Sequence, residues 1–331
     1  MSNPDARTRP PIHWVLDWDG TITKRDTLDA LVNIATEAKP SSPVPEKWRQ
    51  LSEAYLEDYD CTLKKLLETS SQLPSSVGDE RKLLLALQDV EERSVNRVSE
   101  SGIFHDLTAG LLAAGAAKTI SSGSAQLREG YMNFARHVRS SEDGLNAKSD
   151  KISILSVNWS TRFIAECLKA TNESLGKDID IYANELSGIA KGEQCSGYIV
   201  ESPIAGMKII SSHDKETVLA RLKQCEAVPL PPVNKHLEMP KLPTKDDGSR
   251  IVYVGDSWTD FGSLLSAPLG ICIRNDAITS TQQKLADSLE RVGIRCPHIQ
   301  DMEQADGWRV VWAKDFEEIA QCLDSVRAYL C

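Results

Sequence analysis

A sheet of parallel strands with helices on both faces is the α/β architecture that this 331-residue sequence predicts. Three observations carry the prediction. Short apolar runs stand at 12–16 (IHWVL), 152–155 (ISIL), 251–254 (IVYV) and 269–273 (LGICI), each the length of a buried strand and too short for an independent helix. Stretches with helical spacing separate them, and strands that alternate with helices form a parallel sheet. The first three runs each end in a polar cluster, which is where an open α/β sheet gathers its functional groups and points helix N-termini outward.

The elements follow in order. The run at 12–16 succeeds two prolines and precedes DWDGT, so its C-terminal end carries the first carboxylates. From 23 to 122 the pattern is helical throughout, with Trp48, Leu51 and Tyr55, then Leu63, Leu66 and Leu67, then Leu83, Leu84, Leu85 and Leu87 at helix-like spacing. This predicts an all-α insertion after the first strand. Residues 125–138 read as a further amphipathic helix, and polar SSEDGLNAKSD leads into the second strand. A third strand lies in IDIYAN, ending near Asn184, before a glycine-punctuated hairpin at 188–200. A helix at 215–222 is expected to be capped by Asp214. Residues 228–249 hold five prolines and little periodicity, which predicts a surface insertion. The expected domains are a core of 1–22 and 123–331 and a helical cap of 23–122.

A chain of this length buries a sufficient core without disulfides. The eight cysteines, Cys61, Cys167, Cys195, Cys225, Cys272, Cys296, Cys322 and Cys331, include no CxxC pair and no Cys/His cluster of zinc spacing, so reduced thiols are expected. A formal charge of −10 argues against a nucleic-acid partner, whose phosphate backbone needs a basic face. No stretch approaches the ~18 apolar residues of a membrane span, and MSNPDARTRPP has no apolar secretory segment. A cytoplasmic protein without a membrane partner is expected.

The three clusters are Asp17-Trp18-Asp19-Gly20-Thr21, then Ser156, then Gly255-Asp256-Ser257-Trp258-Thr259-Asp260. A carboxylate that attacks a phosphate dianion meets charge repulsion, which a hard cation on oxygen ligands such as Asp17 and Asp256 relieves. Mg²⁺ meets that need. Two carboxylates two residues apart divide the work: Asp17 attacks in line, while Asp19 protonates the leaving oxygen and, once ionised, takes a proton from water. Gly20 permits a sharp turn that brings backbone N–H groups to a phosphate, and with Thr21 and Asn158 it makes up the candidate substrate-binding set. A lone DxDGT also describes an Asp/Gly turn. Two carboxylate clusters at strand ends, with a Ser-ended strand between them, describe a site.

In this order, DWDGT, a Ser ending an apolar strand, a Lys opening a helix and GDSWTD resemble the four motifs of haloacid dehalogenase (HAD) superfamily phosphatases, over residues 12–275. The resemblance implies a Rossmann-like core with a helical cap, a hydrolase that works through an aspartyl phosphate, and Mg²⁺ as cofactor. It implies Asp17 as nucleophile, Asp19 as general acid/base, and Asp17, Asp256 and the Asp19 main-chain carbonyl as metal ligands. Ser156 would hydrogen-bond the phosphoryl oxygens and Lys215 would neutralise them. Asp260 would support the metal site from outside or orient Lys215. Lys208, in GMKII, is the alternative lysine. Asp19 and Asp256 favour a phosphatase over a dehalogenase, which needs neither. A phosphomutase would keep the same residues, and a binding protein on a retained fold is the non-enzymatic alternative.

Trp18, Trp159 and Trp258 lie within three residues of Asp17, Ser156 and Asp256 in a chain that is 6% aromatic. They read either as a stacking surface for an aromatic or cationic leaving group or as packing against neighbouring loops. A cap of about a hundred residues favours a small phosphorylated metabolite over a phosphoprotein. Cap residues Tyr55, Tyr59, Arg97, Glu100 and Ser101 are either substrate contacts or ordinary core and surface. Longer stretches, among them KWRQLSEAYLEDYDC, LSVNWSTRFI, GYIVESPI and VYVGDSWTDFGSLLSAPLGICI, resemble the phosphatase domain of plant fusion proteins that also carry a thiamine-salvage domain. That resemblance implies thiamine monophosphate as the leading substrate; a broad-specificity phosphatase is the alternative.

Overall fold

The computed structural model describes residues 11–70, 73–139, 149–173, 179–224 and 250–330. The insertion expected at 228–249 lies outside the described residues. The central sheet consists of β1 (His13–Leu16), β2 (Lys151–Leu155), β3 (Asp180–Tyr182), β6 (Ile251–Gly255), β7 (Leu269–Ile273) and β8 (Val310–Ala313), all parallel, in the order β3-β2-β1-β6-β7-β8. A short antiparallel pair, β4 (Glu185–Leu186) and β5 (Ile199–Val200), stands apart from it. Leu16 is in register with Ile154 on one side and Val254 on the other. The C-terminal ends of β1, β2 and β6 therefore meet at the point where the strand order reverses, and each ends in one of the polar clusters.

Between β1 and β2 run α1 (Leu28–Ala38), α2 (Val44–Ser70), α3 (Val77–Ala86), α4 (Gln88–Ser101), α5 (Ala109–Ser121) and α6 (Tyr131–Arg139). The remaining helices are α7 (Thr161–Thr171), α8 (Ser212–Gln224), α9 (Phe261–Ser266), α10 (Ser280–Arg291), α11 (Phe316–Gln321) and α12 (Leu323–Tyr329). Alternation along β1 explains the two cores. Trp14 and Leu16 face a layer with Leu112, Phe134 and Phe163, whereas Val15 faces Leu219 and Phe261 on the other side. A central strand covered on both faces has no solvent side, which is why Trp14, Val15 and Leu16 are apolar in succession. Among the described residues, no helix is long and apolar enough to cross a membrane.

Two readings change. The sequence analysis names no strand after 269–273, but the chain also supplies β8, which closes the sheet edge as VVWA; four apolar residues do not distinguish strand from helix by periodicity. Asp214 is not the cap of α8. The helix begins at Ser212, Asp214 N–H donates to Ser211 Oγ at 3.2 Å, and Asp214 Oδ2 accepts from Ser211 N–H at 3.0 Å. Ser211 therefore caps the helix and Asp214 closes the reciprocal box three residues on.

Candidate active site

The turn after β1 presents two carboxylates in different surroundings. Asp17 N–H donates to Val254 O at 2.9 Å, continuing the β1–β6 pairing and fixing the residue at the switch point. Its Oδ1 lies 3.0 Å from Lys215 Nζ, and both side chains are buried. Lys215 also donates to Asp260 Oδ1 at 2.7 Å, and that oxygen accepts from Tyr253 Oη at 2.6 Å. Asp260 Oδ2 takes the N–H groups of Asp256 and Ser257 at 3.1 and 3.0 Å, so one buried carboxylate folds the GDSWTD turn and aims the lysine. Lys208, the alternative lysine, is half-buried and has no such pairing with Asp17 among the hydrogen bonds and ion pairs described.

Asp19 is held on both oxygens. Thr27 donates its N–H at 2.8 Å and its hydroxyl at 2.6 Å to Oδ1, while Asn158 Nδ2 donates to Oδ2 at 2.9 Å. Asn158 was expected to touch substrate, but its amide donor is turned to Asp19 and Thr27, so it orients the acid/base candidate. Thr21 was expected in the same set; its hydroxyl donates to Asp256 Oδ1 at 3.0 Å. Gly20 has φ +74°, and a Cβ there would lie 2.4 Å from Asp256 Oδ2, so both the backbone conformation and the approach of Asp256 require glycine. Ser156, fully buried, follows β2 beside this turn and accepts from Asn158 N–H at 3.1 Å.

Burial raises Asp17 well above the ordinary carboxylate range; Lys215 opposes the shift, and Asp260, Asp256 and Asp19 add to it. Burial also raises Asp19, against the hydrogen bonds from Asn158 and Thr27. Asp256 is pushed up to about 7 by burial and by Asp260, with Thr21 and Arg128 opposing. Burial acts on Asp260 too, but Lys215 and Tyr253 outweigh it and hold this group low. Oxygens of Asp17, Asp256 and Asp260 lie within 4.8 Å of one another. Asp260 is committed to Lys215 and Tyr253, and Lys215 meets Asp17 through Oδ1, which leaves Asp17 and Asp256 as the pair that could hold a metal. Two buried carboxylates are hard oxygen donors, and these fit Mg²⁺.

The tryptophans do not form a common stacking surface. Trp18 is completely buried and donates Nε1–H to Thr27 Oγ1 at 3.1 Å. Trp159 packs edge-on against Trp48 at 5.8 Å and Phe104 at 6.0 Å. Trp258 donates to Glu80 Oε1 at 2.7 Å, and Arg291 Nη2 reaches Glu80 Oε2, also at 2.7 Å. The rings that follow the strand ends are here used to join helices α2 and α3 to the sheet. Buried Arg81 and Glu216 make a second α3 contact, to α8.

No protein-family model matches the sequence. A CTO1 family protein of Schizosaccharomyces pombe is 27% identical over 278 residues, covering 84% of this chain and 85% of that protein. The mitochondrial bifunctional TH2 protein of Arabidopsis thaliana is 25% identical over 296 residues, which cover 84% of this chain and 40% of that protein. Among solved structures, cytosolic 5′-nucleotidase IIIB bound to cytidine is similar at a TM-score of 0.51 and 14% identity, covering 98% of this chain and 86% of that one. The chain has the haloacid dehalogenase fold.

Within the HAD fold, sequence reasoning missed three residues of the site. Thr27 sits eight positions beyond Asp19, Tyr253 points from β6 to Asp260, and Arg128 donates to the Gly20 and Thr21 carbonyls. Tyr253 lies in an apolar strand run, and Thr27 and Arg128 belong to no recognisable motif. Their roles come from tertiary contacts that the local sequence does not mark.

Proposed function

We propose that this chain is a Mg²⁺-dependent phosphatase of small phosphate monoesters that works through a phosphoryl group carried on Asp17. The observation that carries the reading is the pairing at the end of β1: Asp17 faces Lys215 and Asp256, while Asp19, two residues on, is held by Thr27 and Asn158. Neighbouring carboxylates with separate partners are suited to separate tasks.

An Asp17 oxygen attacks phosphorus in line, and the P–O bond to the leaving group breaks as Asp19 protonates the departing oxygen. The raised proton affinity of Asp19 favours the acid form needed at this step. Asp19, now a carboxylate, takes a proton from water as that water attacks the aspartyl phosphate, which restores Asp17 and releases phosphate. Lys215 offsets phosphoryl charge beside Asp17, Asp260 holds the lysine, and Ser156 is a hydrogen-bond donor to the phosphoryl oxygens. Asp17, Asp256 and the Asp19 carbonyl would hold Mg²⁺, which when bound supplies positive charge against the repulsion between two anions.

Residues 23–122 act in this reading as a lid that selects the leaving group. Thiamine monophosphate is the leading substrate, on the extended sequence resemblance described above. Phosphate release from thiamine monophosphate, pyridoxal phosphate, phosphoserine, sugar phosphates and nucleotides, with and without Mg²⁺, tests both levels. Selective Mg²⁺-dependent release from thiamine monophosphate is expected. Equal release from all of them removes the substrate assignment, and release from none removes the phosphatase.

A further inference from the structure

One buried guanidinium has no place in the chemistry set out above. Arg128 follows α5 on the segment that returns the chain to the sheet, where Leu127 bridges Thr23, Lys24 N–H donates to Gln126 O at 2.9 Å and Arg128 N–H donates to Ile22 O at 2.8 Å. Its side chain, part of a residue only 6% exposed, then reaches the loop that follows Asp19. Nε donates to Thr21 O at 2.9 Å, Nη2 donates to Gly20 O, and Nη1 donates to Asn275 Oδ1 at 2.7 Å. Asn275 is itself fixed, because its N–H donates to Gln282 Oε1 of α10 at 3.1 Å.

The geometry has a directional consequence. In a trans peptide the C=O and the following N–H point to opposite sides. A guanidinium that holds Gly20 O therefore turns Thr21 N–H away from itself, and holding Thr21 O as well fixes two consecutive peptide planes. Gly20 cannot restrain these planes through a side chain, and the close approach of Asp256 forbids it one. The restraint has to come from outside the loop.

We propose that Arg128 is a positioning residue that clamps the Gly20 and Thr21 peptides in the orientation phosphoryl transfer requires, and that links this orientation to the return segment of the cap. The proposal rests on the phosphatase reading. Arg128 donates from three separate nitrogens held in one rigid plane, whereas a lysine ammonium donates from a single point, so lysine is not an equivalent. The expected effect is on turnover, since misplacement of a loop by about 1 Å costs roughly 100-fold in rate.

The test compares full-length wild type, Arg128→Ala and Arg128→Lys in hydrolysis of p-nitrophenyl phosphate with Mg²⁺, together with amide hydrogen exchange of residues 17–23. Arg128→Ala is expected to lose about 100-fold in kcat with KM within about threefold, to recover part of the loss on addition of guanidinium ion, and to exchange faster at 17–23. Arg128→Lys is expected to fold and still lose most of the turnover, so it carries the comparison if the alanine variant does not fold. Wild-type kcat in either variant, or a loss with unchanged exchange at 17–23 and no response to guanidinium, overturns the clamp. If wild type itself releases no phosphate, the phosphatase reading fails, and exchange at 17–23 alone decides: faster exchange in the variants supports the clamp and unchanged exchange overturns it.

Discussion

The ammonium of Lys215 lies 3.0 Å from Asp17 Oδ1, and neither side chain has more than a trace of contact with solvent. Burial lowers the proton affinity of Lys215, yet Asp17 and Asp260 outweigh it and raise that affinity above that of a free lysine. In the phosphatase reading proposed above, the cation of this pair already stands where a phosphoryl group on Asp17 would bring negative charge.

Replacing that cation should therefore damage both stability and turnover. Lys215→Met leaves Asp17 and Asp260 buried without their partner, and breaking a buried pair in this way costs about 3–5 kcal/mol. A thermal melt is expected to show a markedly lower Tm, and phosphate release to be lost even in the fraction that remains folded. A Lys215→Met protein with wild-type Tm would show that the pair is not a structural element.

Gly20→Ala tests the loop from the other side. A Cβ at Gly20 would meet Asp256 Oδ2 at 2.4 Å, on a backbone whose positive φ already disfavours a side chain. The variant is expected to lose at least about 10-fold in turnover and to need more Mg²⁺ for half-maximal rate, because Asp256 must retreat. Titration of activity against Mg²⁺ measures this, and an unchanged midpoint would contradict the contact.

Helix α4 carries its own pH signature in Glu91. Burial pushes this carboxyl up to about 7, against the hydrogen bond from Tyr55. In the unfolded chain the group titrates near its ordinary value of 4.5, so between these values the folded protein holds the extra proton. Its contribution to stability therefore falls as pH rises from about 4.5 to about 7 and is level above that. Glu91→Gln removes the penalty and is expected to stabilise the protein at pH 8 by about 1–3 kcal/mol while leaving it little changed at pH 4.5. Urea unfolding of both proteins at the two pH values measures the difference; the same difference at each pH would contradict it.

How much of this was legible in the sequence follows from where each signal resides. Strands β1, β2, β6 and β7 were readable because each is an uninterrupted apolar run, and the ends of β1, β2 and β6 because polar clusters follow them at once. Lys215 was readable as the lysine of a helix start. Asn158 was assigned to substrate because proximity to Ser156 in sequence does not show that its amide points across to Asp19, 139 residues earlier. The tryptophans were ambiguous for the same reason: sequence places them beside the candidate positions Asp17, Ser156 and Asp256 but not beside the partners, Thr27, Trp48 and Glu80, that bury or bind them. Strand β8 and the clamp of Arg128 depend on contacts between distant segments, with no local periodicity to announce them.

The measurement that tests the central claim most directly is chemical trapping of the phosphorylated residue. Wild-type protein turning over a phosphomonoester with Mg²⁺ is quenched with borohydride, which reduces an aspartyl phosphate to homoserine, and the peptide containing Asp17 is analysed by mass spectrometry. Homoserine at position 17, dependent on both substrate and Mg²⁺ and missing from Asp17→Asn, is the predicted result. Phosphate release that continues in Asp17→Asn, or reduction at another residue while Asp17 stays unmodified, would contradict the account.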